Sequence, residues 1–163
     1  MSFELRERDL LARIGRLKTK GGTIETPILL PVINPAVQPI SPKAMQETLG
    51  CQAIITNAYI VKIRFGNEAV QDGIHRLLNF QGVVMTDSGA YQILRYGDVD
   101  VTPREIVRYQ EDINGDIATI LDVPTGWKTT EKYARDTVEE TLRRARELFE
   151  IKTRDDIAWV GPV

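Results

Sequence analysis

Short apolar runs alternate with stretches of helical periodicity along this chain. Residues 12–18 (Ala-Arg-Ile-Gly-Arg-Leu-Lys) alternate apolar and polar, the period of a half-buried strand. Lys20-Gly21-Gly22-Thr23 is a hairpin turn, and residues 23–27 return as the partner strand. A first buried strand is predicted over 28–34. Ser41-Pro42 opens a helix, a capping hydroxyl followed by proline at the first helical position, and Gly50 closes it. Residues 53–59 form a second buried strand, and a less regular segment follows to Phe80. The third strand, Val83-Val84-Met85-Thr86-Asp87, ends in a carboxylate. Thr102-Pro103-Arg104-Glu105 is a capping box with a proline start. Its helix carries Ile106, Val107, Tyr109, Gln110 and Ile113, and Gly115 ends it. A fourth strand runs over 117–122 and again ends in aspartate, with Pro124 stopping it. Thr129 or Thr130 caps a long helix to about Lys152, rich in Glu and Arg at helical spacing. A fifth strand begins at Ile157.

This order predicts an α/β fold with a parallel sheet covered on both faces. A (β/α)8 barrel needs eight such units and about 250 residues. About five parallel strands are legible in 163 residues, and the last residues fall inside or just after a strand. The expected architecture is a partial TIM barrel with an N-terminal antiparallel hairpin. Residues 1–163 are read as one domain, the N-terminal part of a larger catalytic barrel.

Composition narrows the function classes. Hydrophobic residues are 42% and charged residues 27% of the chain, the balance of a soluble protein with a real core. No apolar run reaches membrane-spanning length, and the charged start Met1–Asp9 lacks the apolar middle of a secretory signal, so a cytoplasmic location is expected. A net charge of −2 offers no basic excess for nucleic acid, though local patches differ from the sum. Cys51, the single cysteine, makes neither a disulfide nor a zinc site by itself. It is read as a buried structural thiol, and His75, the single histidine, as structural too. No metal ligands or cofactor are expected within this chain.

The chemistry is predicted at two strand tips. In Asp87-Ser88-Gly89-Ala90-Tyr91-Gln92 an apolar run delivers a carboxylate and a hydroxyl, turns on glycine, and continues into an aromatic ring and an amide. In Leu121-Asp122-Val123-Pro124-Thr125 a second run ends in aspartate. Each aspartate alone reads equally as a cap or turn residue. Two at successive strand tips favour a site at the C-terminal end of the sheet, where β/α proteins bind ligands. The two are expected to face one purine-sized hollow.

Asp87 through Gln92 resembles the Asp-Ser-Gly loop of the tRNA-guanine transglycosylases. Residues 25–32 look like that family's first strand and 55–59 like its second. Residues 73–78 match the segment before the loop, and Leu121–Thr125 is similar to the archaeal, archaeosine-making branch. Residues 160–163 look like the lead into the family's Gln-Gly-Gly loop. The resemblance implies a TIM barrel that exchanges a D-arm guanine of tRNA for 7-cyano-7-deazaguanine, through a covalent enzyme–RNA intermediate and without ATP. It implies Asp87 as the catalytic carboxylate, either nucleophile or proton carrier, since a later aspartate beyond residue 163 competes for the first role. Asp122 would read the N1–H and 2-amino edge of guanine, Ser88 would donate to the base, and Tyr91 would stack on it. Asn57, at a strand end, would orient a carboxylate or the ribose, and Gln92 is read as structural. A zinc cluster and an RNA-binding tail are implied beyond residue 163, with a homodimer at full length. The isolated chain is then expected to be inactive. Two other readings stay open: an accessory or split subunit that completes its barrel with a separate half, and a TIM-barrel glycosidase using Asp87 and Asp122.

Overall fold

The computed structural model describes residues 1–92 and 101–162. An antiparallel sheet is built from β1 (Ser2–Asp9), β2 (Ala12–Lys18) and β3 (Thr23–Thr26). A parallel sheet follows from β4 (Val32–Ile33), β5 (Ala53–Asn57), β6 (Val83–Asp87), β7 (Ile117–Thr119) and β8 (Ala158–Val160). The described helices are α1 (Pro42–Leu49), α2 (Ala58–Phe65), α3 (Asn67–Asp72), α4 (Ile74–Leu78), α5 (Pro103–Asp112) and α6 (Glu131–Ile151). They fall between successive parallel strands. The five strands lie side by side in chain order, the winding of a (β/α) barrel wall; a doubly wound sheet reverses its order partway.

The capping signals act where the sequence puts them. The Ser41 hydroxyl accepts the Ala44 N–H at the start of α1, and Gly50 ends that helix in the left-handed region. Thr102 and Glu105 exchange both bonds of a capping box on α5. Thr130 rather than Thr129 caps α6.

Five expectations need correction. The run 28–34 yields only two strand residues, because Pro27 and Pro31 cannot donate to a ladder, and Leu29 and Val32 are largely exposed. The fourth strand stops at Thr119 rather than Asp122. Gln110 on α5 accepts from the Thr119 N–H (3.4 Å) and donates to its carbonyl (2.9 Å), so a side chain takes the place of a strand partner there. The second strand stops at Asn57, and the segment from Ala58 on is three short helices, jointed at Gly66 and Gly73 and closed by Asn79. The start of the chain, read only as charged, adds β1 as a third antiparallel strand. Cys51 is half-buried and free rather than fully enclosed.

The β2–β3 hairpin seals the N-terminal end of the parallel sheet. Ile24 of β3 packs with Ala53, Val83, Ile117 and Ala158, the first residues of four parallel strands. At the turn, a Cβ on Gly21 would come within 2.4 Å of the Asp116 carboxylate, so only glycine permits that approach. Asp116 is fully buried; it accepts the Val84 N–H (2.8 Å) and contacts His75 Nε2 (2.9 Å). The other ring nitrogen of His75 lies 3.2 Å from the Phe80 carbonyl. Both ring nitrogens are thus occupied inside the fold, in keeping with a structural role. The opposite, C-terminal end of the sheet is left for the polar strand tips.

Candidate active site at the C-terminal strand ends

Register delivers Asn57 and Asp87 together. They are paired residues at the last rung of the β5–β6 ladder. By the two-residue period they share a face with Ala53 and Val83, the residues on which Ile24 of the hairpin packs. Asn57 also caps α2, its Oδ1 accepting the Ile60 N–H (2.9 Å). With the amide oxygen held there, Nδ2 is turned to donate to Asp87 Oδ2 (2.8 Å) and Gln92 Oε1 (3.0 Å).

Gly89 makes the turn after Asp87. Its φ is +101°, and a Cβ would meet the Tyr59 Cβ at 2.5 Å. Both the conformation and the space require glycine. Asn57, Asp87, Tyr91 and Gln92 line one cavity of about 360 Å³ with Ile33, Asn34 and Ile60, within the range of small-molecule sites. Tyr91 is 58% exposed, so its ring is a wall of the cavity and not core. Gln92, assigned only a structural role from sequence, joins the same polar cluster. Ser88 is fully buried and its hydroxyl has no protein partner. Its backbone N–H donates to Thr119 Oγ1 (2.8 Å).

Asp122 lies three residues past the tip of β7, at the same end of the sheet. It lines a second cavity of about 360 Å³, between the 122–125 segment and α6. The structure therefore does not bring the two aspartates into one described hollow; each borders its own, and residues 93–100 lie outside the described residues. Burial pushes the Asp87 carboxyl above its ordinary range, against hydrogen bonds from the Gly89 amide, Asn57 and the Ser88 amide. Burial also raises Asp122, its own backbone amide opposes this, Asp87 adds to the rise, and Arg144 opposes it. Two half-buried carboxyls poised upward at neighbouring strand tips are suited to proton transfer and to paired acceptance of N–H groups.

Sequence reading passed over the residues that support this end. Gln110 on α5 bridges Thr86 of β6 (2.8 Å) and Thr119 of β7; a polar position on the buried face of an amphipathic helix was the available signal. Among the described residues no three of His, Cys, Asp and Glu gather as metal ligands. No described helix is long and apolar enough to cross a membrane.

The profile of the TGT family, queuine tRNA-ribosyltransferase, matches residues 9–163. The tRNA-guanine(15) transglycosylase of Aeropyrum pernix is 48% identical over 161 residues, covering 99% of this chain and 31% of that protein. The enzyme of the same name from Sulfolobus acidocaldarius is 46% identical over 165 residues, covering 99% and 32%. That of Nanoarchaeum equitans is 44% identical over 163 residues, covering 100% and 38%. The chain spans about a third of the length of the curated relatives it matches. With a parallel sheet wound in barrel order and the Asp-Ser-Gly turn at its C-terminal end, the chain belongs to the queuine tRNA-ribosyltransferase family.

Proposed function

We propose that this chain supplies part of the active site of a tRNA-guanine transglycosylase of the archaeosine type, which exchanges a D-arm guanine of tRNA for 7-cyano-7-deazaguanine. The observation that supports the reading most directly is the pair of carboxyls. Asp87 is held by Asn57 at the tip of β6, and Asp122 stands beyond the tip of the neighbouring β7, in a chain of this family.

Asp122 accepts the N1–H and 2-amino hydrogens of guanine, a donor pair that adenine does not offer. Tyr91 stacks on the purine, an interaction worth about 1–3 kcal/mol. In the exchange, the C1′–N9 bond breaks as a carboxylate oxygen bonds to C1′, and the departing guanine gains a proton at N9. The incoming base loses its N9 proton as it displaces the carboxylate from C1′. One N-glycosidic bond replaces another, so no nucleotide triphosphate is consumed. Asp87 serves either as the attacking carboxylate or as the proton carrier, and Asn57 fixes which oxygen faces the reacting atoms. The zinc, the RNA-binding tail, the homodimer and the cytoplasmic location implied by the family resemblance are part of this same reading.

Calorimetric titration with 7-cyano-7-deazaguanine tests the site. The chain binds the base, and Asp122→Ala weakens binding by about 100-fold or more through the loss of two charge-assisted hydrogen bonds. Equal affinity of the two proteins removes Asp122 from the site.

A further inference from the structure

We propose that Arg144 and Thr141 are positioning residues for Asp122: helix α6 grips the peptide on both sides of this carboxylate and fixes where it stands. The inference rests on Asp122 being the base-reading group, and it adds what holds that group in place.

Asp122 lies outside the strand ladder. Its own N–H turns back to the Ile120 carbonyl (3.1 Å), so sheet hydrogen bonding does not set its position. Side chains of α6 do so instead. Arg144 donates through a terminal nitrogen to the Leu121 carbonyl (2.9 Å), immediately before Asp122. Thr141 accepts the Val123 N–H (2.9 Å), immediately after it. One turn earlier, the Thr125 and Thr137 hydroxyls meet at 2.7 Å, and Thr137 donates to the Ala134 carbonyl, which leaves Thr125 as donor between the two. Positions 137, 141 and 144 follow the i, i+4, i+7 spacing of one helix face. They engage 125, 123 and 121, every second residue of the segment beyond β7, so the two elements run antiparallel and meet rung by rung.

The lower end of α6 is anchored in the core by Leu148 and Ile151, packed with Val107 and Ile120. A rigid 21-residue helix therefore carries the grip to the strand tip. Arg144 is only 17% exposed and bonds Glu140 (2.8 Å) with its Nε. Glu140 in turn is pushed down to about 2 by Arg143 and Arg144. The charged groups acting on Asp122 are Asp87 from β6 and Arg144 from α6, with Glu140 and Arg143 behind Arg144. Arg144 thus does two things at once: it holds the peptide, and its charge favours the anionic Asp122 that a guanine edge requires.

Carbon-detected NMR titration of the Asp122 carboxyl in the free chain separates these duties, with Asp122→Asn used to assign the signal. Arg144→Ala raises the Asp122 titration midpoint, and Arg144→Lys restores part of the wild-type value. Glu140→Gln keeps an oxygen for Arg144 Nε but removes a negative charge, and moves the midpoint the other way. Thr141→Val leaves the midpoint in place, speeds exchange of the Val123 amide, and weakens 7-cyano-7-deazaguanine about tenfold at every pH. An unmoved midpoint in Arg144→Ala overturns the charge role. A Val123 amide that stays protected in Thr141→Val overturns the grip. If the midpoints and the amide respond as stated while the wild-type chain binds no base, the clamp stands and the base-binding reading of Asp122 fails.

Discussion

Asn57 does three jobs with one amide: it ends a strand, caps α2 and holds Asp87. That economy explains why a polar residue is tolerated at the last rung of a parallel ladder. The cost falls on the carboxyls. Asp87 and Asp122 are both raised by burial, so each binds a proton more tightly folded than unfolded. Between the ordinary carboxylate value and the raised folded one, stability falls as pH rises. Asp87→Asn should therefore unfold at higher denaturant than the wild type at pH 7. The advantage should vanish below about pH 3.5, where both states of the wild type are protonated. Urea melts at the two pH values measure it; an equal gap at both means that the carboxylate charge is not what costs stability. The candidate aspartates were legible in sequence because two successive apolar runs each end in a carboxylate, where either alone reads equally as a cap or turn residue. Arg144 and Thr141 were not, because on an Arg- and Glu-rich helix one arginine looks like the next.

At the level of elements, the strongest local signals fix the helices. Ser41-Pro42, the Thr102–Glu105 box and Thr130 satisfy orphan backbone groups wherever the chain goes next. Elements of six to eight residues such as α2 and α3 are too short for periodicity to mark, and their joints at Gly66 and Gly73 show only as glycines. Packing between elements supplies what local signals lack. His75 ties α4 to Asp116, which also holds β6 through Val84. Burial opposes a charged ring at His75, but the hydrogen bond and charge of Asp116 outweigh it and raise its pKa. The ion pair's contribution is thus fully present below the ordinary histidine value of about 6.5 and is lost as pH rises through the raised one. His75→Ala should cost about 3 kcal/mol at pH 5.5 by leaving a buried carboxylate short of a partner. The loss should be smaller at pH 9, and denaturation at both pH values checks the slope. A cost that grows with pH would mean that the charged pair is not the source.

For the whole molecule, the two ends of the parallel sheet divide the work. The hairpin and its Gly21 turn close the N-terminal end with apolar contacts, and the C-terminal end keeps polar groups at its strand tips. Asp87 and Asp122 border separate cavities there, and the curated relatives are about three times as long. The purified chain is expected to bind the base without exchanging it into tRNA. Incubation with radiolabelled guanine and unmodified tRNA measures this, and label incorporated by the chain unaided contradicts it.

Periodicity, caps and polar strand ends were enough to read the βα alternation, the antiparallel hairpin and two candidate carboxylates, because each depends on neighbours within a few residues. Three features emerged only when distant segments met: β7 ending at Thr119 under the Gln110 amide, the hairpin turn seated on Asp116, and α6 holding the Asp122 peptide. In each case a side chain takes over a backbone group that a regular ladder would otherwise satisfy. Such a substitution depends on which element arrives alongside, and nothing within a few residues of the backbone group announces it.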